Sequence, residues 1–488
     1  MRRTDHKRSI DRQGLHVSQL AIGLLCCVMT VGTANAFDFG WQVGTGYTRT
    51  DNVAQAPSGD AADIMNAEVS AALEHATRSL EIDAEANYLY RYFPDGKYAS
   101  GSQPQLRGEL EWTPIAERVR FTVSDSYGQV ALNPSEGLLP SDFEGANVFT
   151  AGSQLSWPLS LNTRIQAIGE YRDATFDESA ADTRRTYGEL RIQRTLTRLV
   201  SLFASGGRRH TQFEVDGVAS DYDIDSALVG LDAVGRRSAL QVSAGVDSLQ
   251  DDDNTFDGSR YDLRYERLLS RDTRLFASAT REIADAADVF SLAQISDPAL
   301  IGIRDVQVTS QPLVRQAYLL GYALSGSHLS VAVAGGYRKE EFKRQPADAT
   351  TLVGLDRNIR EWQLNVDYTW SQRTSLLSRV ELLRERYVNG MESDDVVVTV
   401  SWLRRLAPRI GFEATVQRIE RSSSLLSFDE LRFILMLRYT GRELPGKSVD
   451  VFDRSFERRI RRTRDSVESD SSAQQPVVPA DEPVDGSP

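Results

Sequence analysis

Histidines, cysteines and clustered carboxylates could do chemistry in this 488-residue chain, but they form no recognisable catalytic arrangement. The histidines after residue 36 are His75, His210 and His328, which lie far apart in the sequence. Both cysteines, Cys26 and Cys27, lie in an apolar stretch near the N-terminus. Neither the GxSxG motif of serine hydrolases nor the HExxH motif of zinc proteases occurs. The sequence therefore predicts a protein that is not an enzyme and that holds no cofactor or metal.

Four aspartates, Asp251, Asp252, Asp253 and Asp257, fall within residues 250–259. Clustered carboxylates suit calcium, but their spacing does not match the EF-hand loop. A solvated acidic loop is the simpler interpretation, and binding of divalent ions shared with lipopolysaccharide is the alternative.

Other charged residues alternate with apolar ones, and we expect them to line a polar interior. The candidates for this lining are Arg107, Arg118, Arg120, Arg164, Arg172, Arg191, Arg264, Glu81, Asp83, Glu85, Glu109, Glu361 and Asp367. Both signs occur, which favours cross-strand ion pairs that stiffen the interior. A charged ladder that guides an anionic polymer is the alternative, although a dedicated anion path should show one dominant sign.

The elements that position these charges are strands, because the dominant period from Phe37 onward is two. From Leu80 to Tyr92, apolar or aromatic residues alternate with polar ones. Short turns follow Trp112, Trp157 and Trp370, and long polar connections lie between the paired segments. Outer-membrane barrels have this asymmetry of short periplasmic turns and longer external loops. The pattern predicts an all-β, transmembrane, antiparallel up-and-down β-barrel of about twenty strands, within a range of about 16–20.

Aromatic residues near the short turns are candidates for a girdle at one membrane interface. They lie on the apolar faces of their strands and are Trp112, Trp157, Trp370, Trp402 and Tyr439. Amphipathic rings suit the headgroup level, and barrels place them there.

Composition and the N-terminus point to the cell envelope. Residues 1–36 are predicted to be a signal peptide, with a basic start, an apolar core from Leu20 to Val31 and a small-residue site at Ala34–Ala36. Removal of its five basic and two acidic residues changes the formal charge from −13 to −16 over 452 residues. An acidic chain of this kind excludes a nucleic-acid partner, which would require a basic surface. The mean hydropathy of −0.36 excludes a polytopic helical membrane protein, but it suits a barrel that shows lipid only every second residue.

The segment GTGYTRTDNV resembles the opening strand of the porin-2-like outer-membrane barrels associated with exopolysaccharide operons. The residues that carry the resemblance are Gly44, Gly46, Tyr47, Asp51 and Asn52. The resemblance implies a barrel in the outer membrane that assists secretion or anchoring of a polysaccharide. This chain departs from the usual barrel pattern because 49 residues follow Tyr439.

The domain prediction is a barrel over residues 37–440 and a periplasmic tail over 441–488. Within the tail, residues 448–465 are predicted to form a short basic amphipathic helix, and the remainder is too polar and proline-rich to fold. The helix residues are Phe452, Phe456, Ile460, Arg458 and Arg462. Three roles stay open: a solvated helix, a helix that docks on anionic membrane or on a periplasmic partner, and a plug for the lumen.

Three functions follow from these features, in the outer membrane of a Gram-negative bacterium. The first is export or assembly of a surface polysaccharide, the second is a general or substrate-selective diffusion porin, and the third is an outer-membrane enzyme. The expected partners are outer-membrane lipid and lipopolysaccharide, the barrel-assembly machinery, and a polysaccharide or periplasmic export component.

Overall fold

The computed structural model describes residues 37–131, 143–177, 182–215, 218–251, 254–284, 312–343, 356–424 and 427–442. The strands are β1 Asp38–Thr50, β2 Ala62–Ala76, β3 Leu80–Tyr92, β4 Gly101–Ile115, β5 Val119–Ala131, β6 Phe143–Ser160, β7 Thr163–Phe176, β8 Asp182–Thr197, β9 Val200–Val215, β10 Val218–Val234, β11 Ser238–Asp251, β12 Asn254–Leu268, β13 Thr273–Ala284, β14 Leu313–Ser325, β15 Leu329–Phe342, β16 Arg357–Ser371, β17 Thr374–Tyr387, β18 Glu392–Ala407, β19 Ile410–Ser423 and β20 Phe428–Arg442. The predicted signal peptide and the whole predicted tail helix lie outside the described residues.

The strands form one sheet that closes on itself. Each strand pairs with the next along the chain, and β1 pairs antiparallel with β20, from Trp41 opposite Arg442 to Thr50 opposite Arg432. The predicted fold class, an antiparallel up-and-down barrel of about twenty strands, is confirmed. Closure satisfies the backbone polar groups without leaving a sheet edge. No helix in the described part of the chain is long and apolar enough to cross a membrane.

The alternating pattern separates the two faces of the wall. On β16, Trp362, Leu364 and Trp370 point outward and are exposed, while Asn365 points inward and is buried. Above Trp362, the next outward residue is the exposed Arg360. The ten residue steps from Trp370 to Arg360, on a tilted strand, span about 25 Å, which is the height of the apolar band of outer-membrane barrels. Other strands make the same change from apolar to charged on their outward faces, at Arg49, Asp63, Asp225, Lys339, Arg384, Arg418 and Asp429.

The five aromatic residues of the expected girdle all lie on outward faces near the short turns. Trp112 stacks on Phe121 with ring centroids 5.6 Å apart, and Trp402 meets Phe412 edge-on at 6.0 Å. Sequence reasoning missed Trp41, which lies on β1 at 5.7 Å from Tyr439. The pairing of β1 with β20 brings these two rings together, and the sequence alone does not specify that pairing.

The GTGYTRTDNV segment closes the barrel. The backbone N–H of Leu431 on β20 donates to the carboxylate of Asp51 at 2.8 Å. The side-chain amide of Asn52 donates to the carbonyls of Ala56 and Asp429, at 2.8 and 3.1 Å. Asp51 and Asn52 therefore link the connection between β1 and β2 to the last strand, β20.

Gly46 allows the two end strands to approach closely. A Cβ there would lie 2.1 Å from Met436 Sδ and 2.4 Å from the Leu435 carbonyl oxygen. We expect Gly46→Val to destabilise the barrel by about 1–3 kcal/mol, because the Leu435 carbonyl cannot move without disturbing the closing ladder. The matched control is Gly411→Val on the inward face of β19, where a Cβ meets nothing within 4 Å. Urea unfolding midpoints measure both, and an equal loss in the two variants would contradict the packing argument.

The structure corrects two expectations about connections. The acidic segment 250–259 is not a long loop, because β11 runs to Asp251 and β12 starts at Asn254. Strands reach 12–18 residues, which exceeds the about 9–11 residues of a spanning strand, because backbone pairing continues above the lipid. Asp251 then points inward and Asp257 outward, on opposite faces of the wall.

Candidate transport passage

The inward face of the barrel is a polar lumen. The strand pairing places twelve of the thirteen residues expected from the sequence on this inward face. They are Glu81, Asp83, Glu85, Arg107, Glu109, Arg120, Arg164, Arg172, Arg191, Arg264, Glu361 and Asp367. Arg118 is an exception, because it lies in the tight turn between β4 and β5 and donates its backbone N–H to Ile115. The strand that carries Arg120 begins only at Val119. Arg107 and Asp367 are exposed, so water reaches the lumen wall.

Ion pairs join many of the inward charges. Arg191 lies 2.8 Å from Asp232, Arg120 lies 3.2 Å from Glu111 and Arg264 lies 3.4 Å from Asp262. Arg164 instead donates to the side-chain oxygen of Gln193, at 2.9 and 3.1 Å. The contacts of Arg191 and Arg120, which cross strands, support the interpretation that mixed charges stiffen the interior, since opposite charges across strands stabilise a sheet.

The tightest network was missed by sequence reasoning and lies on β15–β17. Arg357 has only 2% of its side chain exposed and contacts Glu340 at 2.7 Å and Glu385 at 3.0 Å. Arg338 reaches the other oxygen of Glu340 at 3.0 Å. Only the cross-strand register brings these residues together, because 45 residues separate Glu340 from Glu385 in the sequence.

One sector of the lumen, on β2–β4, is acidic. Glu81 lies opposite Glu111, and Asp83 lies between Glu74 and Glu109. Like charges directly across strands cost stability, and the contact with Arg120 at 3.2 Å offsets this cost at Glu111. The acidic sector therefore sets the electrostatic character of this side of the passage.

The upper end of the β13–β14 hairpin bends into the lumen. Pairing of β12 with β13 stops at Tyr261 opposite Arg281, although β13 continues to Ala284. Beyond that point the carbonyl of Ile283 accepts a hydrogen bond from inward-facing Arg209 of β9 at 2.6 Å. The backbone N–H of Ile283 lies 3.5 Å from a carboxylate oxygen of Asp247 on β11. We call residues 282–284 with 313–314 the inward hairpin end.

Apolar contacts hold the inward hairpin end against the inner wall. Ile283 and Val314 form a buried cluster with Tyr222, Ile224 and Leu249. The ammonium of Lys343 lies 3.7 Å from the ring centroid of Phe256, which packs on the same cluster. The barrel is consequently narrowed on the β9–β14 side at its upper end.

Two external connections are joined by Asp60 of the β1–β2 connection and by Lys97 and Tyr98 of the β3–β4 connection. Hydrogen bonds from Lys97, and then from Tyr98, hold the pKa of Asp60 below its ordinary value. Burial, followed by the bond to Asp60, raises the pKa of Tyr98 to about 12. The phenol therefore keeps its proton at every physiological pH.

We expect the Asp60 contact to be sensitive to acid. Because the folded pKa of Asp60 is lowered, its contribution is complete above the unfolded value of about 3.9 and is lost as the pH falls through the folded value. Asp60→Asn should speed hydrogen exchange in residues 93–100 at neutral pH and remove the acid dependence. Unchanged exchange in this variant would show that the contact does not hold the two connections together.

Two of the histidines contact neighbouring acceptor groups. His210 faces outward beside Asp223, with Nδ1 2.9 Å from the carboxylate. The ring of His328 contacts the carbonyl of Thr369 at 3.1 Å.

No family model and no curated protein matches this chain. Among solved structures, it is similar to the siderophore receptor PirA from Pseudomonas aeruginosa at 10% identity, with a TM-score of 0.43 over 83% of this chain and 81% of that one. The copper transporter OprC matches at 12% identity and a TM-score of 0.42, over 83% and 80%. The ferric-catecholate import receptor Fiu from K12 E. coli matches at 8% identity and a TM-score of 0.40, over 81% of each chain.

The closed wall, its outward apolar band and the charged residues above that band indicate the membrane in which this chain lies. In bacteria, barrels with this band span the outer membrane. The chain is a Gram-negative outer-membrane β-barrel. Its lumen is the candidate site of function.

Proposed function

We propose that this barrel assists export or assembly of a surface polysaccharide. The observation that carries the proposal is a polar lumen enclosed by twenty strands, with water-exposed charges on its wall. Barrels of about 16–18 strands already leave an aqueous channel. A hydrated polymer chain can be accommodated by such a passage, provided that the inward hairpin end leaves room.

The resemblance of the GTGYTRTDNV segment supports the barrel fold more strongly than it supports polysaccharide as the transported molecule. Gly46, Asp51 and Asn52 serve the junction of β1 with β20. The export proposal therefore depends on the passage itself and on the family that the segment resembles.

The acidic sector of β2–β4 constrains the cargo. A polyanion would be repelled along Glu81, Asp83, Glu109 and Glu111, whereas a neutral glycan would not. We therefore favour a polysaccharide of low negative charge.

A diffusion porin is the second candidate, and the inward hairpin end favours it. A wall segment folded into a wide lumen limits the size of solutes that pass, which suits selective diffusion of small molecules. The two functions predict different defects in a cell that lacks the protein.

A deletion strain separates the two functions. Export predicts a loss of surface polysaccharide while small-solute uptake stays normal, with restoration by the intact gene. Unchanged polysaccharide, together with slower solute uptake, would refute export and support the porin.

We also expect the passage to prefer cations. With a salt gradient across a planar bilayer, the reversal potential should have the sign of cation selectivity. Changing Glu81, Asp83, Glu109 and Glu111 together to their amides should abolish most of that preference. The matched control changes the outward carboxylates Asp394 and Asp429 to asparagine. Anion selectivity in the unmodified barrel would contradict the role given to the acidic sector.

A further inference from the structure

The outward face of β13–β17 carries a band of cations at the upper border of the apolar surface. This cationic border consists of Arg281, Lys339, Arg360, Arg384 and Arg386. The acids near it are Glu341, which contacts Lys339, and Asp394 and Glu392, which contact Arg384 and Arg386. On β9 and β10 the corresponding border is not cationic in excess, because Arg208 contacts both outward acids, Asp223 and Asp225. The excess of cations is therefore local to one side of the barrel.

Two arginines of this border lie directly opposite each other. Arg360 on β16 pairs in register with Arg384 on β17, and Tyr337 lies on the other side of Arg360. Like charges in this relation are destabilising unless an anion lies between them. Arg384 is bonded to Asp394, whereas Arg360 has no acidic partner within the described strands.

A second guanidinium in the same border also has unused hydrogen-bonding capacity. The Nε of Arg281 is buried and has no hydrogen-bond partner within the described part of the chain. It lies beside Tyr261 and Gln316 in register, whose side chains bond to each other at 2.9 Å.

An apolar surface begins directly below these cations. Trp362, Leu364 and Leu382 are exposed on the outward face, at the depth of the acyl chains. Tyr318 and Tyr337 stack at 6.3 Å between the apolar and charged levels. A ligand that fits both levels has phosphate groups above and hydrocarbon chains below.

We infer that the cationic border binds the phosphates of a phosphorylated glycolipid of the outer leaflet. Arg360 and Arg384 present planar donors that suit phosphate oxygens, and Lys339 adds charge beside them. The acyl chains then lie against Trp362 and Leu382. Bound lipid relieves the repulsion between the two arginines.

Native mass spectrometry of the folded barrel in detergent tests this site with bis-phosphorylated lipid A as the probe. Arg360→Gln combined with Arg384→Gln should weaken binding by about tenfold or more, from the loss of two phosphate-facing charges. Asp394→Asn should tighten binding, because it releases Arg384 from its competing acid. The matched control is Arg418→Gln on β19, an exposed arginine at the same level that is bonded to Asp429. Heat modifiability on gels verifies that each variant is folded.

Three comparisons decide the outcome. Monophosphorylated lipid A should bind more weakly than the bis-phosphorylated form, and inorganic phosphate should not compete at millimolar concentration. An unchanged affinity of the double variant, or an equal loss in Arg418→Gln, would overturn the site. Full competition by inorganic phosphate would also overturn it, because the site would then recognise a free anion and not a lipid.

Discussion

Replacing Arg357 with methionine is expected to lower the free energy of unfolding by about 3–5 kcal/mol. The variant keeps the side-chain volume but leaves Glu340 and Glu385, both buried, without their shared cation. A buried carboxylate without a partner is costly because the low-dielectric surroundings penalise its charge. Unfolding in urea, followed by tryptophan fluorescence in detergent micelles, measures the effect.

The control for Arg357 is Arg418→Met. Arg418 also contacts two acids, Glu420 and Asp429, but its side chain is 56% exposed. An exposed pair contributes only about 0–1 kcal/mol. Changing Glu340 and Glu385 to glutamine in the Arg357→Met background should recover part of the loss. Equal destabilisation by the exposed and the buried substitution would show that burial of the network is not its source of stability.

Releasing the inward hairpin end is expected to raise the single-channel conductance by about twofold or more, because a wider lumen holds more conducting water. The variant is Ile283→Ser with Val314→Ser, which removes two apolar side chains from the cluster formed with Tyr222, Ile224 and Leu249. Without that burial, the segment loses its apolar contacts with β10 and β11 and keeps the polar contacts of Arg209 and Asp247. Planar-bilayer recording measures the change.

A matched pair of substitutions distinguishes release of the inward hairpin end from a general loss of packing in the barrel wall. Val229→Ser with Val246→Ser removes two apolar side chains from the lipid-facing surface, where both valines are exposed. These changes should leave the conductance unaltered. If the lumenal pair also leaves it unaltered, the inward hairpin end does not limit the passage.

The local pattern of the sequence was sufficient to predict the barrel and the side of the wall on which most charges lie. In the segment from Leu80 to Tyr92, each residue's face follows from strand geometry alone, so Glu81, Asp83 and Glu85 could be assigned to the interior. Arg118 was misassigned because the turn after Ile115 extends through Arg118, and β5 begins only at Val119.

Features that depend on which strands meet could not be predicted. The contact of Trp41 with Tyr439 and the space that Gly46 leaves for Met436 require the pairing of the first strand with the last. The Arg357 network requires the registers of three strands at once. The inward hairpin end depends on a ladder that stops early, and no residue type marks that point.

A single position on β16 provides the most direct test of the lumen as a passage. The only cysteines, Cys26 and Cys27, lie within the predicted signal peptide, so one introduced cysteine can be labelled selectively in the remaining chain. Asp367 points into the lumen, and its neighbour Val366 points to lipid. With Asp367→Cys, a bulky charged thiol reagent should react quickly and reduce the conductance, whereas Val366→Cys should be unreactive. Equal reactivity at the two positions, or labelling of Cys at 367 without any change in conductance, would contradict a water-filled passage through the barrel.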